Sequence, residues 1–281
     1  MPYLNIAGYY FYKPKVKLPV LQKKLREECS RLNIRGTVLL AKEGINVFLA
    51  GQEKSIQTIK QWIQDETGNP EFQFKESWCE AMPFKRLRVK IKPQIISFRA
   101  RGINPLKSRA PSIQPETLKE WLDQKKDFVL LDTRNRYEVE LGSFERADHL
   151  NIRSFNLYEE QAKKMPEDLK DKTLVMFCTG GIRCEKAAPF MQKMGFKNVL
   201  QLEGGILNYF EKTGGQHYRG DCFVFDERVA LTPNLEETKV ILCSRCGHKV
   251  SPSERRHPEF RFGKYCPHCS PYGKKAKNRL T

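Results

Sequence analysis

Cys178-Thr-Gly-Gly-Ile-Arg183 is the stretch of this 281-residue chain best equipped for chemistry. The apolar run 174–177 predicts a buried strand before it, and 184–191 predicts a helix after it, with Ala187, Ala188 and Met191 on the apolar side. Between them Gly180 and Gly181 permit a tight turn whose amides point inward. The backbone of Thr179, Gly180, Gly181 and Ile182, the start of the helix and the Arg183 guanidinium would together stabilise an anion. Such surroundings lower a cysteine pKa by one to several units, so Cys178 is predicted to be a thiolate nucleophile at neutral pH, with Arg183 as its partner. A cysteine that merely ends a buried strand would need neither the glycine pair nor the arginine.

A second group of thiols has a different use. Cys243-x2-Cys246 and Cys266-x2-Cys269 are separated by 19 residues, a spacing that suits two knuckles closing a tetrahedral zinc site. His248, His257 and His268 are alternative ligands, but four thiolates form the simplest set. A structural zinc would fold a tail too polar to build its own core, and would hold Arg255, Arg256 and Arg261 in place. Cys184, six residues after Cys178, either resolves an oxidised Cys178 as a disulfide or fills the position of a small residue. The total of nine cysteines is odd, which favours metal and thiol chemistry in a reducing compartment over disulfides.

The net charge of +17 resides in two segments. Residues 83–109 hold nine Lys or Arg and no acid, and 245–281 hold ten against Glu254 and Glu259; the remainder is neutral. Such segregation points to a polyanion such as RNA, docked by Lys85, Arg86, Arg88, Lys90, Arg99, Arg101, Arg255 and Arg256. Two solvated basic faces would give the same count. No apolar run approaches the ~20 residues of a membrane span, and the first residues lack a signal-peptide pattern. A cytoplasmic protein without membrane contact is the expectation.

The elements that position these residues fall into four segments. In 1–95, a strand (3–12), a helix (Leu18, Leu21, Leu25, Cys29, Leu32), a hairpin about Lys42-Glu43-Gly44, a second helix (Ile56, Ile59, Ile63, with Ser55 as its cap) and strands near 72–78 and 87–91 predict a ferredoxin-like split βαβ arrangement. Leu87-Arg-Val-Lys-Ile91 alternates so that Arg88 and Lys90 share a solvent face. Residues 96–115 read as a basic linker. Residues 116–218 alternate strand and helix, which predicts a parallel sheet covered on both faces, with Cys178 beyond a strand's carboxyl end. Residues 219–281 form a cysteine-rich basic tail, ending in an arm at 274–279. The fold class is thus α/β and α+β multidomain, with a zinc-ribbon-like end.

Cys-x4-Arg in a strand-loop-helix resembles the active-site loop of rhodanese (sulfurtransferase) domains, whose cysteine carries a persulfide. The tyrosine-phosphatase signature needs one residue more, and Cys184 stands there. Asp132-Thr-Arg134 with Tyr137-Glu138 resembles the rhodanese Asp-x-Arg and Glu segment, 142–152 resembles its glycine-rich stretch loosely, and Leu202-Glu-Gly-Gly-Ile206 resembles its Gly-Gly turn. Asp132, Arg134 and Glu138 are expected to brace the loop through ion pairs, so Asp132 and Arg134 stand with Cys184 as supporting or resolving residues. The whole arrangement, with Cys-Thr-Gly-Gly-Ile-Arg-Cys-Glu-Lys-Ala as its most specific part, resembles the bacterial tRNA uridine-34 hydroxylase family.

That resemblance implies oxygen-dependent conversion of the wobble uridine of tRNA to 5-hydroxyuridine, with Cys178 catalytic and tRNA as partner. The residues themselves point to RNA and a reactive thiol. They offer no flavin or nicotinamide fingerprint and no two-His-one-carboxylate grouping for iron, so they show no cofactor for oxygen activation; molecular oxygen as co-substrate is what the resemblance implies, with a sulfur or electron donor of unknown identity. The alternatives are a rhodanese-type sulfurtransferase acting as persulfide carrier and a non-catalytic, zinc-dependent RNA-binding module.

Overall fold

A computed structural model describes residues 2–271; the basic run 274–279 lies outside them. β1 (Tyr3–Phe11), α1 (Leu18–Arg31), β2 (Arg35–Ala41), β3 (Gly44–Gly51), α2 (Glu53–Thr67), β4 (Lys75–Cys79) and β5 (Leu87–Ile91) form one sheet with two helices, in strand order β4-β1-β3-β2-β5. The first four strands have the ferredoxin-like order, and β5 adds a parallel edge beside β2. α1 admits Pro19 in its first turn and buries Leu21, Leu25 and Cys29. α2 buries Ile56, Ile59 and Ile63. It starts at Glu53, so Ser55 lies inside the helix and the cap position belongs to Gln52, which makes no side-chain cap bond.

Period-two alternation gives this sheet two unlike faces. Leu4, Ile6, Val47 and Leu49 pack under the two helices. Ala7, Tyr9, Phe11, Asn46 and Phe48 point the other way, toward the second half of the chain.

That half holds β6 (Ser112–Ile113), α3 (Pro115–Asp123), β7 (Val129–Asp132), α4 (Arg136–Val139), β8 (Gly142–Phe144), β9 (Ala147–His149), α5 (Tyr158–Ala162), β10 (Thr173–Phe177), α6 (Cys184–Lys193), β11 (Asn198–Leu202) and α7 (Gly205–Thr213). Its sheet, β6-β11-β10-β7-β9, is parallel throughout. On β10, Leu174 and Met176 pack with α5 and α6, whereas Val175 and Phe177 pack with α3 and α7. Burial on both faces explains why the strand reads as a continuous apolar run. The stretch 96–111 runs across the α6 side, where Phe98 lies 5.3 Å from Phe155 and 5.7 Å from Phe190 between ring centroids.

The tail adds β12 (Tyr218–Gly220) on β8, the pair β13 (Cys222–Phe223) and β14 (Ala230–Leu231), the pair β15 (Ile241–Leu242) and β16 (Lys249–Val250), and α8 (Pro252–Arg255). Its own core is Cys243, Val250 and Cys266, with Ile241, Phe260 and Cys269 against them.

Candidate active site

β10 ends at Phe177 and α6 begins at Cys184, so the Cys178 loop forms at the carboxyl end of a central strand. Cys178 is buried, and the Gly181 N–H donates to its Sγ at 3.1 Å. Gly181 has φ +97°, and a Cβ there would stand 2.8 Å from Tyr9 Oη. The loop carbonyls of Cys178 and Thr179 accept from Ile206 N (2.9 Å) and Leu207 N (3.1 Å) at the start of α7. A Cβ on Gly205 would fall 2.4 Å from the Cys178 carbonyl oxygen, so the Gly204-Gly205 turn is what lets α7 abut the loop.

Burial pushes the Cys178 thiol up, but it is outweighed. A hydrogen bond from the Cys184 thiol, the positive charge of Arg183 and the backbone N–H groups of Arg183 and Gly181 bring it down to about 6. Cys178 is therefore mostly thiolate at neutral pH and a competent nucleophile. Cys184 moves the opposite way: burial, then its bond to Cys178 and that thiolate's charge, hold it well above the usual thiol range. Its Sγ also lies 3.8 Å from Thr133 Oγ1.

Arg183 is buried with its Nη1 2.9 Å from Glu138 Oε2. Glu138 is fixed in turn by the capping box of α4, where Oε2 accepts from Asn135 N at 3.1 Å. Phe155 and Phe225 flank the guanidinium at 5.9 and 5.6 Å. Asp132 and Arg134 are engaged with each other: Arg134 Nη2 donates to Asp132 Oδ2 at 2.6 Å and to Gly142 O at 2.7 Å, and Ser143 Oγ donates to Asp132 Oδ2 at 2.7 Å. This pair ties the end of β7 to β8.

Sequence reasoning missed the other half of the site. The three residues opening α6 go to three different places. Cys184 reaches Cys178. Glu185 Oε1 accepts from Tyr9 Oη at 3.1 Å and lies 2.8 Å from Arg109 Nη2. Lys186 Nζ lies 2.7 Å from Glu43 Oε1 and donates to Ile96 O at 2.9 Å. Burial keeps the Glu185 carboxyl above its ordinary range despite Arg109, Tyr9 and Gln201, which pull it down. Two consecutive charged residues on a helix read as solvent-facing, and no local signal announces the sheet that covers them. Between that sheet and the Cys178 loop lies a cavity of about 510 Å³, bounded by Tyr9, Asn46, Phe48, Arg109, Glu185 and Phe225 as well as by Cys178.

Among the basic residues, Arg88 and Lys90 are exposed on β5. Cross-strand pairing sets Lys90 in one row with Leu39, Asn46 and Tyr9, and Arg88 in the next with Thr37, Phe48 and Ala7. They therefore share the sheet face that bounds the cavity, three strand spacings (about 14 Å) from β1. Arg86, Arg99 and Arg101 are exposed, and Lys85 pairs with Glu227 at 3.5 Å. Arg255 and Arg256 sit apart, at the end of α8; Arg255 Nη2 donates to Lys239 O.

Cys243, Cys246, Cys266 and Cys269 converge with all four Sγ atoms within 4.8 Å of one another. The Sγ distances of 3.5, 3.6 and 3.9 Å compare with about 3.8 Å between sulfurs on a tetrahedral zinc. The thiolates fit that ion. One expectation is corrected: His248, Glu254 and His268 form a two-His-one-carboxylate group. Its members lie in the loop before β16, in α8 and in the second Cys-x2-Cys knuckle, which only the folded tail unites, so no sequence spacing marks it. Glu254 Oε1 is 2.5 Å from His268 Nε2, and its Oε2 accepts from Ser251 N in the cap of α8.

Comparison with known proteins agrees with both halves. Residues 4–95 match the UPF0176 acylphosphatase like domain and 114–212 the Rhodanese-like domain. Proteins named tRNA uridine(34) hydroxylase match along nearly the whole chain. The relatives from Cupriavidus metallidurans and Cupriavidus necator are 45% and 46% identical over 96% of this chain and 97% of their own. The relative from Paraburkholderia xenovorans is 46% identical over 99% of each. Identity of that extent, spanning the sheet, the cysteine loop and the tail together, makes this chain a member of the tRNA uridine(34) hydroxylase family.

Proposed function

We propose that the chain converts uridine 34 of tRNA to 5-hydroxyuridine, with molecular oxygen as co-substrate and Cys178 as nucleophile. The observation that carries this reading is the near-full-length identity to proteins named for that activity. The cavity is consistent with it: about 510 Å³ accommodates a pyrimidine nucleoside, and Phe48 and Phe225, 6.0 Å apart, offer ring faces to a flipped base. The Cys178 thiolate adds to C6 and makes C5 electron-rich. One oxygen atom then enters at C5, and the other leaves as water with two electrons and two protons from a donor partner.

On this reading 1–95 and 116–218 supply the two walls of the site, 96–115 joins them, and 219–281 is held by a structural zinc on Cys243, Cys246, Cys266 and Cys269. Lys85, Arg86, Arg88, Lys90, Arg99, Arg101, Arg255 and Arg256 engage tRNA phosphates. Cys184 tunes or resolves Cys178, and Asp132 and Arg134 support the loop. The protein works in the cytoplasm, away from membranes.

The test is nucleoside mass spectrometry of tRNA from a strain lacking the protein, complemented with the wild type or Cys178→Ser. Loss of 5-hydroxyuridine derivatives, restored only by the wild type, is the expected result. Loss of a thiolated base instead would make the chain a persulfide-carrying sulfurtransferase. An unchanged set of modifications, with tRNA binding intact, would make it an RNA-binding module.

A further inference from the structure

The cavity has an electrophilic wall facing its nucleophile. Glu185 Oε1 has two donors, Tyr9 Oη at 3.1 Å and Arg109 Nη2 at 2.8 Å, so it stays paired if the tyrosine turns away. Burial first, then the negative charges of Glu185 and Cys178, hold the Tyr9 phenol well above its ordinary range, which keeps it a donor at neutral pH. Gly181 stands between the two walls: its N–H reaches Cys178 Sγ, and its bare Cα faces Tyr9 Oη. The docking of the sheet does not depend on Tyr9 alone, because Glu43 and Lys186 also join the two halves. Arg109 keeps more than half of its side chain exposed, so its remaining N–H groups are open to a ligand.

We propose that Tyr9 and Arg109 are catalytic residues that receive O4 of the uracil as Cys178 adds to C6, with Glu185 as the positioning residue between them. The proposal rests on the reading of the chain as a uridine hydroxylase. In the step, the thiolate electron pair forms the S–C6 bond, the C5=C6 π pair becomes C4=C5, and the carbonyl π pair moves to O4. No proton or electron leaves. The negative charge passes from sulfur, where Arg183 and the loop amides stabilise it, to O4, where it needs donors of its own. The phenol rotates its O–H from Glu185 to O4, and Arg109 completes the pair. One preorganised donor at a developing oxyanion is worth about 10²–10³ in rate. Protonation of C5 by water and reversal of the addition then exchange the C5 hydrogen with solvent, without oxygen.

The experiment uses the full chain with tRNA. Exchange of the uridine-34 C5 hydrogen is followed in D₂O without oxygen, and 5-hydroxyuridine formation is followed with oxygen and a cell extract that supplies the two-electron donor. Tyr9→Phe keeps the ring; it is expected to slow both by about 10²-fold while tRNA affinity and the rate of Cys178 alkylation by iodoacetamide stay at wild-type values. Arg109→Gln, at an exposed position, is expected to slow both by about 10-fold and serves if Tyr9→Phe fails to fold. Wild-type exchange in both variants would overturn the proposal. So would a parallel fall in alkylation, since Tyr9 would then only shape the loop. Hydroxylation by the wild type without any exchange would remove addition at C6 and the proposal with it. A wild type that forms no 5-hydroxyuridine would instead sink the hydroxylase reading beneath it.

Discussion

Lys186 Nζ lies 2.7 Å from Glu43 Oε1, which fastens the first turn of α6 to the hairpin turn between β2 and β3. The ammonium is almost wholly buried, and Ile96 O at 2.9 Å is its other partner. Burial pulls the Lys186 pKa down and Glu43 pulls it up, with the downward pull winning. Because Glu185 beside it reaches Tyr9, the helix that starts behind the reactive thiol is also what docks the two halves.

Removing one partner of such a pair costs more than removing the charge altogether. Glu43→Gln leaves a buried ammonium short of its counter-charge and is expected to destabilise by about 3 kcal/mol. Glu43→Gln combined with Lys186→Met, close in volume, removes both charges and is expected to cost less than ~1.5 kcal/mol. Urea unfolding of both variants is the measurement. Equal costs would mean that the ion pair does not hold the interface.

Cys178 should show its depressed pKa as reactivity. Alkylation by iodoacetamide follows the thiolate fraction, so the rate rises with pH through a midpoint of about 6 and is flat above neutrality. Cys184→Ala removes a donor to the thiolate and should move the midpoint up by roughly one unit. Stability has a matching sign. A folded pKa below that of the free thiol contributes fully above the free-thiol pKa, and the contribution is lost as pH falls through about 6. A midpoint near that of a free cysteine in the wild type would remove the loop's electrostatic role.

The row from Tyr9 to Lys90 across the sheet makes the basic edge testable. If tRNA lies along that face with its base in the cavity, Arg88→Glu with Lys90→Glu should weaken binding at least tenfold. It should also flatten the slope of log affinity against log salt by about 1–2. Iodoacetamide reactivity of Cys178 should not change. Wild-type affinity in a titration at two salt concentrations would take β5 out of the RNA site.

The sequence announces what is local and stays silent on what is assembled. The strand, the glycine turn and the helix around Cys178 are contiguous, and so are the alternating residues of β5 and the two Cys-x2-Cys knuckles; each is readable from spacing. The far wall of the cavity is not. Tyr9, Phe48 and Asn46 read as ordinary strand residues, and Glu185 and Lys186 as a polar helix start. Only the packing of the first sheet's open face and its β2–β3 turn on the start of α6 buries Glu185 and Lys186 and aims Tyr9 at the loop. The same limit hid the group of His248, Glu254 and His268, whose members come from a loop, a helix and a knuckle.

The tail gives the metal prediction its leverage. A core of Cys243, Val250 and Cys266, with three half-buried neighbours, is too small to fold residues 241–269 unaided. Four thiolates gathered within 4.8 Å would repel one another as anions, and a divalent cation held between them would supply what packing does not. Metal analysis of the purified chain should find one tightly held zinc. Its removal by a chelator, or Cys266→Ala, should expose residues 241–269 to protease while residues 3–213 keep their unfolding transition. A tail that resists protease without metal would show that the thiols fold it by packing alone.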